Sequence, residues 1–333
     1  MLLSAGSLDL PSIAAGEKGF IALPIEQLGL HGDDEIYLSV SLVLKHASSW
    51  AAAGHEVAWF QHQLHAPTAT LTSHPVISPN SLSSKLDVTT KGALLEVAGA
   101  NFSFVFDRAR GSLKNWSIDG HSLLHADPKT GMAIIPSFWR PATDNDQPQS
   151  LPYWRRFGVD ALTSQLRSFS VDTSDAQKAV VKAHTFITPP ILDWGYHAEI
   201  EYTVHATGAL SVNVVRLSPT GSKPEHIPRV GLNLHGSKAL EKVSWFGLGP
   251  GESYPDKKAS QRVGIWEVER VAELQTAYDV PQENGNREDT RWLAVSSREA
   301  GLRATRSGSS PRDSQFSFAA SRCSDDTVEA ARH

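Results

Sequence analysis

The strongest constraint on the fold of this chain is a period-two alternation of apolar and polar residues. In "AEIEYTVHATGALSVNVVRL", Ile200, Tyr202 and Val204 alternate with polar residues, and the same spacing resumes after 207–208. Successive side chains of a strand point to opposite faces of a sheet, so this pattern predicts two half-buried strands joined by a tight turn. "NWSIDGHSLL" repeats the signal, because the dipeptide 119–120, Asp-Gly, favours a two-residue hairpin turn.

Helical periodicity is scarce along the chain. The best helix candidate is "GIWEVERVAEL", residues 264–274, and it is short. Because strands do not alternate with helices, neither a doubly wound parallel sheet nor a TIM barrel fits the pattern. We therefore predict an all-β protein.

The 333 residues are enough for about two domains. Residues 1–66 include the predicted strands "DEIYLSVSLVLKH" and "HEVAWFQHQL", with Gly54 as a turn residue between them. They supply three or four predicted strands, fewer than the roughly seven of a complete sandwich. Residues 67–86 are rich in Ser, Thr and Pro and predict a linker, and 87–333 can form a large two-sheet sandwich. Near the end, "RATRSGSSPRDSQ" predicts a flexible loop.

Composition narrows the functional classes. The formal net charge of −5 lacks the basic footprint of a nucleic-acid partner. No apolar run approaches about 18 residues, so we expect no membrane span. The first residues lack the basic start of a secretion signal, and Cys323 is the single cysteine, so no intrachain disulfide can form. A cytoplasmic location is the expectation.

The first chemically informative stretch is "SFWRPATDNDQP", residues 137–148. Arg140 can form a fork to a carboxylate or to sugar hydroxyls, and Asp144, Asn145 and Asp146 offer further hydrogen-bonding groups. The same Asp and Asn residues can instead satisfy the backbone of a turn. Both interpretations stay open from the residues alone.

The second stretch is "WFGLGPGESYPDKK", residues 245–258, in which Glu252 and Asp256 lie four positions apart. Retaining glycoside hydrolysis uses two carboxylates about 5 Å apart, one as acid and one as nucleophile. Spacing within an irregular loop does not set that distance, however. Lys257 and Lys258 are interpreted as surface counter-charges.

The third stretch is "YDVPQENGNREDTRWL", residues 278–293, where Glu283, Asn284 and Arg287 precede Trp292. Planar polar groups beside an aromatic ring suit carbohydrate recognition, and a structural ion-pair network explains the composition equally well. His62 and His65 do not predict a metal site, because their spacing puts them on opposite faces of a strand.

Together the three stretches, with "ASQRVGIWEV", resemble the signature segments of the small-chain domain at the C-terminal end of glycoside hydrolase family 2 β-galactosidases. The front part of the chain is similar to the latter half of the immunoglobulin-like domain that precedes it. The resemblance covers nearly the whole chain, except "RSGSSPRDSQ", which is interpreted as an unusual insertion or an imperfect gene model.

The resemblance implies a fold, a partial immunoglobulin-like sandwich over 1–66 followed by a large antiparallel supersandwich over 87–333. That second domain is similar to galactose mutarotases, and we expect it to be truncated at its C-terminal end. The resemblance also implies hydrolysis of terminal β-galactosides such as lactose. In the family the catalytic glutamates, and the bound Mg²⁺ and Na⁺, belong to an upstream barrel, and the acid/base glutamate follows an asparagine. This sequence contains no Asn-Glu dipeptide, so we expect no catalytic residue and no metal site in it.

Two functional hypotheses follow. In the first, the chain is a C-terminal segment or subunit of a β-galactosidase that is inactive alone, supports a catalytic barrel and assembles into an oligomer. In the second, the supersandwich is a stand-alone carbohydrate-binding or aldose-epimerase-like module that uses a histidine and a carboxylate such as Glu252. Under the first, several residues are expected to face the substrate or the barrel: Arg140, Asp144, Asn145, Asp146, Glu252, Asp256, Glu283, Asn284 and Arg287.

Overall fold

The computed structural model describes residues 2–23, 34–66, 85–308, 310 and 313–331. The chain divides into two compact units. One comprises Met1–Thr72 and Gly308–Arg312, and the other comprises Ser73–Ser307 and Asp313–His333. Antiparallel strands dominate both, which confirms the all-β prediction. Within the described ranges, every helix is too short or too polar to cross a membrane.

The described part of the first unit contains one antiparallel hairpin, β1 (Ile36–Val43) and β2 (Glu56–His65). Gly54 lies in the turn just before β2 and has a φ of 83°, a left-handed conformation that glycine adopts without strain. Both strands of this hairpin and its turn residue are confirmed. The described part of residues 1–66 therefore has two strands rather than three or four, while 24–33 and most of the predicted linker, 67–84, lie outside the described residues.

The described part of the second unit contains seventeen strands. Their bounds, in chain order, are β3 (Asp87–Lys91), β4 (Leu94–Ala98), β5 (Phe102–Asp107), β6 (Ser112–Ile118), β7 (His121–His125), β8 (Ile134–Ser137), β9 (Thr163–Asp172), β10 (Lys178–Thr188), β11 (Gly195–His205), β12 (Leu210–Thr220), β13 (Gly231–Leu234), β14 (Lys242–Gly249), β15 (Arg262–Val268), β16 (Arg287–Thr290), β17 (Trp292–Ser296), β18 (Gly301–Thr305) and β19 (Phe316–Phe318). The helical elements are α1 (Ser150–Arg156), α2 (Asp325–Ala330) and two short 3-10 helices, Val159–Ala161 and Val271–Leu274.

These strands form larger and smaller antiparallel sheets. The larger ones have the orders β3-β4-β5-β6-β7, β12-β11-β10-β9 and β15-β14-β17-β18, and the smaller ones pair β13 with β8 and β16 with β19. Neighbours in sequence are mostly neighbours in the sheet. The larger sheets are therefore built mainly from successive hairpins.

The main core lies between the five-stranded sheet and the sheet of β9 to β12. Phe106 from the first packs edge-on against Tyr202 from the second, with ring centroids 5.5 Å apart. Ile200, Tyr202 and Val204 are all buried, which confirms the strand with one buried face that the alternation predicts. The hairpin turn between β6 and β7 is also confirmed, since Asp119 and Gly120 have φ angles of 50° and 79°.

The helix prediction for 264–274 is wrong over most of its length. Residues up to Val268 form β15, in which Trp266 and Val268 pair with Trp245 and Val243 of β14. Only Val271–Leu274 turns helically, as a 3-10 helix. Backbone hydrogen bonds to β14, the preceding strand of the chain, outweigh the local periodicity.

Two smaller cores hold the motif-bearing loops. One gathers Phe138 and Trp139 around Trp154 of α1 and Trp194. The other packs Trp245 of β14 against the 3-10 helix Val271–Leu274 and β19. In the first and second motifs, buried aromatic side chains, Trp139 and Trp245, therefore lie next to the polar residues.

Candidate functional site

The first motif, residues 137–148, forms the loop between β8 and α1. Its aromatic residues, Phe138 and Trp139, are buried in the core around Trp154, so they are not available to stack on a sugar. Arg140 donates to Asp146 across 2.7 Å, and its guanidinium lies 5.4 Å from the Trp154 ring centroid. The loop is thus closed on itself by a partly buried ion pair.

Asp146 is the hydrogen-bond centre of this loop. Besides Arg140, it accepts from the backbone amide and the hydroxyl of Thr143, both across 2.8 Å. Burial of the carboxyl acts to raise its pKa, but these donors outweigh it and hold the pKa below its ordinary value. Of the interpretations that the residues left open, this geometry favours a tied turn for Asp146. Asp144 and Asn145, by contrast, are exposed.

The second motif centres on Glu252, which lies in the loop after β14 and is buried. Lys257 donates to its Oε1 across 2.6 Å, and the Tyr278 hydroxyl donates to the same oxygen. The Thr276 hydroxyl and the Gly285 amide donate to Oε2 across 2.8 and 2.9 Å. Both carboxylate oxygens therefore accept two hydrogen bonds.

Gly285 can make its contact because of its backbone conformation. Its φ is 79°, and a Cβ at this position would lie 3.0 Å from the Leu274 carbonyl oxygen. A side chain here would be strained on both counts. The conformation of Gly285, in the third motif, therefore places its amide to donate to Glu252, in the second.

The four donors define the charge state of Glu252. Burial acts to raise the pKa of its carboxyl, but the hydrogen bonds from Gly285, Lys257, Tyr278 and Thr276 lower the pKa from 4.5 to about 2. A carboxyl with so low a pKa is ionised at neutral pH and is a poor general acid. Its oxygens are also occupied by donors, which suits a structural anion better than a nucleophile.

The other charged residues of the second motif lie at the surface or beside the loop. Asp256 is exposed and takes no part in the hydrogen bonds of Glu252. Lys257 is half-exposed and is the counter-charge of Glu252, so its interpretation as a surface counter-charge is confirmed, although the carboxylate that it binds is buried. Lys258 donates to Asp289 across 2.7 Å. The structure therefore does not join Glu252 and Asp256 in one hydrogen-bonded pair.

Glu283 of the third motif is a second buried carboxylate, with a different environment. Arg229 donates to its Oε2 across 2.7 Å, and the Tyr254 hydroxyl donates to Oε1 across 3.4 Å. Burial raises the pKa of Glu283 against the attraction of Arg229, and the neighbouring Asp325 raises it further. Burial likewise raises the pKa of Asp325, whose Oδ2 lies 3.4 Å from Arg229. One arginine is shared by two carboxyls.

Asn284 and Arg287 hold the backbone of the third motif. Asn284 accepts from the Thr276 amide across 3.1 Å. Arg287 is buried, donates to the Gly285 carbonyl across 2.8 Å and lies 5.3 Å from the centroid of the Trp245 ring. Burial lowers its pKa to about 10, and its Nε has no hydrogen-bond partner among the described residues.

The three motifs meet in space, although the first ends at residue 148 and the second begins only at residue 245. The Asp144 amide donates to the Gln282 side chain across 3.3 Å and so links the first motif to the third. Glu252 and Gly285 link the second to the third. Seven of the candidate residues thus belong to one polar network, with Asp144 at its exposed edge: Arg140, Asp144, Asp146, Glu252, Glu283, Asn284 and Arg287. Asn145 and Asp256 are exposed beside it. Whether any of them contacts substrate or a barrel stays a prediction.

Several members of this network were not found from the sequence. They are Thr276, Arg229, Asp325 and Glu329. Glu329 of α2 accepts from the Ala142 amide across 2.8 Å and from Arg155 across 2.9 Å. None of these residues stands in a recognisable pattern, because their partners are distant in sequence.

The three motifs offer little to a metal ion. Among the described residues, no group of three or more His, Cys, Asp or Glu side chains could hold one. The donors on Glu252 also occupy the oxygens that a cation would need. Two shallow clefts, of about 330 and 210 Å³, are not lined by residues of the three motifs.

Comparison with known proteins defines the family. Residues 98–333 match the family model described as β-galactosidase small chain, and residues 2–65 match the model described as β-galactosidase, domain 4. The chain therefore belongs to the β-galactosidase small-chain family, with a domain 4 segment in front.

Curated relatives carry the same name. The chain is similar to the β-galactosidase of Kluyveromyces lactis, with 30% identity over 89% of this chain and 26% of that protein. It is similar to the β-galactosidase of Vibrio cholerae, with 29% identity over 95% of this chain and 29% of that protein. For the Priestia megaterium enzyme the identity is 28%, over 79% of this chain and 24% of that protein. The chain spans about a quarter of the length of these relatives.

Proposed function

We propose that this chain is a non-catalytic C-terminal part of a β-galactosidase. Its partner in this proposal is a catalytic barrel domain or subunit, and the assembled enzyme cleaves terminal β-galactosides such as lactose. Support comes from the order of the two family matches along the chain and from the names of the curated relatives. In the same proposal, the Mg²⁺ and Na⁺ of the enzyme are held by domains other than this one.

The observation that carries the non-catalytic role is the state of the buried carboxylates. Glu252 is held by four donors with a pKa of about 2, and Asp146 is held by Arg140 and Thr143. Glu283 is tied to Arg229. A glycosidase needs one carboxyl that can donate a proton and one that can attack the sugar or activate water. These three instead stabilise loops.

The proposal gives the exposed edge of the network a separate role. Asp144 and Asn145 project from a loop whose backbone is rigidly tied by Asp146. A rigid loop presents polar groups with little loss of conformational entropy on binding. We assign to this edge the contact with the barrel and the approach to the galactoside.

The direct test is hydrolysis of o-nitrophenyl β-galactoside. The purified full chain is assayed alone, and again after mixing with a Kluyveromyces lactis β-galactosidase truncated before the region that this chain matches. We expect no turnover above buffer from the chain alone, and association with turnover in the mixture. Substantial hydrolysis by the chain alone would contradict the non-catalytic role. A mixture that shows no association and no activity would contradict the supporting role.

The epimerase-like alternative is not favoured by the geometry. It would use Glu252 for proton transfer, but this carboxylate is saturated with donors and has a pKa of about 2. Polarimetry on freshly dissolved α-galactose checks it, and we expect no acceleration of mutarotation over buffer.

A further inference from the structure

Two histidines on the outer face of the sheet of β9 to β12 approach each other closely. His184 lies on β10 and His197 on β11, and the Nε2 of the first is 3.1 Å from the Nδ1 of the second. They are diagonal neighbours, because His184 pairs in register with Glu199 and His197 with Phe186. Both rings are half-buried. Neither belongs to the polar network of the three motifs.

We propose that His184 and His197 form a binding site for one divalent late transition-metal ion. Metal–imidazole bonds are about 2.0–2.1 Å long, so two nitrogens on one ion are about 2.9 Å apart at a right angle and about 3.4 Å apart at the tetrahedral angle. The observed 3.1 Å lies between these values. Small ring rotations are enough to bring both nitrogens onto one ion.

Binding of a metal ion requires one proton to move within one of the two imidazole rings. Without metal, one of the two facing nitrogens carries a proton and donates it to the lone pair of the other. When an ion binds, that proton moves to the other nitrogen of the same ring, and both facing lone pairs point at the ion. The number of protons on the two rings does not change. Water molecules complete the coordination of the ion.

The surroundings of the pair are already organised. Each histidine sits on a strand hydrogen-bonded on both edges, since β10 and β11 are the inner strands of their sheet. Phe186 packs against His197, with ring centroids 4.8 Å apart. Two nearby cations on this face are paired, Lys182 with Glu201 and Arg216 with Glu199. A third, Arg167, lies over the Phe186 ring, 5.3 Å from its centroid, and donates to Gln165.

The ligand set selects a chemical class of ion. Imidazole nitrogens suit Cu²⁺, Ni²⁺ and Zn²⁺, whereas Mg²⁺ prefers oxygen ligands and retains its water. Among these ions, Cu²⁺ binds most tightly to such a site. The site is therefore distinct in chemistry from an Mg²⁺ site, and it does not depend on the proposed enzymatic role of the chain.

The proposal is tested with CuCl₂ and NiCl₂ on the full chain. Electron paramagnetic resonance of the chain with one equivalent of Cu²⁺ should show two coordinating nitrogens. His184→Gln and His197→Gln each remove one ligand while keeping a polar side chain. Loss of an outer hydrogen-bond partner of a ligand weakens metal binding about 10–100-fold, so loss of a direct ligand should weaken Ni²⁺ binding at least about tenfold in calorimetry.

His205→Ala is the matched control. His205 lies on β11 with its side chain on the same face, but it is hydrogen-bonded to Ser211 rather than to another histidine. This variant should bind Ni²⁺ like the parent chain. Equal affinity in His184→Gln, His197→Gln and His205→Ala would overturn the proposal, as would a Cu²⁺ spectrum of the parent chain with a single nitrogen ligand. The parent spectrum makes the test independent of whether a variant folds.

Discussion

Lys257 donates a hydrogen bond across 2.6 Å to Glu252, and this contact joins a half-exposed cation to a carboxylate that is 4% exposed. With Thr276, Tyr278 and Gly285 it converts a residue that looks catalytic in the sequence into a structural anion. The contrast with Glu283, whose pKa moves in the opposite direction, gives the most direct predictions.

Replacing Glu252 with Gln should destabilise the chain strongly. A pKa lowered from 4.5 to about 2 corresponds to roughly 3 kcal/mol of stability at neutral pH, which the variant loses. Because the folded-state pKa is the lower one, this stability is present above pH 4.5 and disappears as the pH falls toward 2. The difference between parent and Glu252→Gln in urea unfolding should therefore shrink between pH 6 and pH 3.

The matched control for that experiment is Glu267→Gln. Glu267 also pairs with a lysine, Lys242, but its side chain is 51% exposed. Exposed ion pairs contribute about 0–1 kcal/mol, so this variant should unfold nearly like the parent at every pH. Equal losses of unfolding free energy in the two variants would show that the hydrogen bonds to Glu252 stabilise the chain no more than an exposed ion pair does.

Replacing Glu283 with Gln should have a milder effect and the opposite pH trend. Burial raises the folded-state pKa of Glu283. Its contribution to the free energy of unfolding is therefore fully present below the ordinary pKa of 4.5 and is lost as the pH rises through the raised pKa. The Gln side chain of the variant does not ionise, so the stability of the variant does not fall in this way as the pH rises. In urea unfolding, Glu283→Gln should become less destabilising relative to the parent as the pH rises. A penalty that grows with pH, as for Glu252→Gln, would contradict the assignment.

Replacing Ile191 with Asn should stabilise the chain. Ile191 lies in the turn between β10 and β11 with a φ of 73°, and its side chain is fully exposed. A β-branched residue is strained in this conformation and gains nothing from burial here, whereas Asn adopts it readily. We expect a gain of about 1 kcal/mol in the free energy of unfolding. Leu192→Asn, at the next position, is the control and should change stability little.

Replacing Glu329 with Gln should loosen the contact between α2 and the loop of the first motif. No residue of α2 is buried, and Glu329 connects it to the Ala142 amide and to Arg155. Hydrogen exchange at Ala142 should accelerate in the variant. Lys129→Gln removes a neighbouring exposed pair, with Asp326, and should leave that amide unchanged. Unchanged protection in Glu329→Gln would mean that other contacts hold the loop.

Local patterns predicted much of the fold but little of the network. The alternation around Tyr202 and the Asp119-Gly120 turn were right, since both depend on conformational rules within a few residues. The helix at 264–274 was wrong because β14 pairs with Trp266 and Val268. No short window of sequence contains that competing strand.

The candidate residues divide in the same way. The sequence identified Glu252 and Glu283 as residues of interest but not their partners. Arg229 is 54 positions from Glu283 and 96 from Asp325. Lys257 was interpreted as a surface counter-charge, but nothing nearby shows that its partner Glu252 turns inward. Roles that depend on burial and on distant donors cannot be inferred from spacing.

By itself, the sequence determined that this protein is all-β, where its main hairpins turn, and which family its motifs resemble. Those properties follow from side-chain alternation, glycine and Asp-Gly turns, and residue order, which are all local. Only the tertiary structure decided that Glu252 is a saturated, ionised anchor, that Glu283 shares one arginine with Asp325, and that His184 faces His197. The physical reason is that charge state and ligand geometry depend on desolvation and on distances between strands, and chain folding alone sets both.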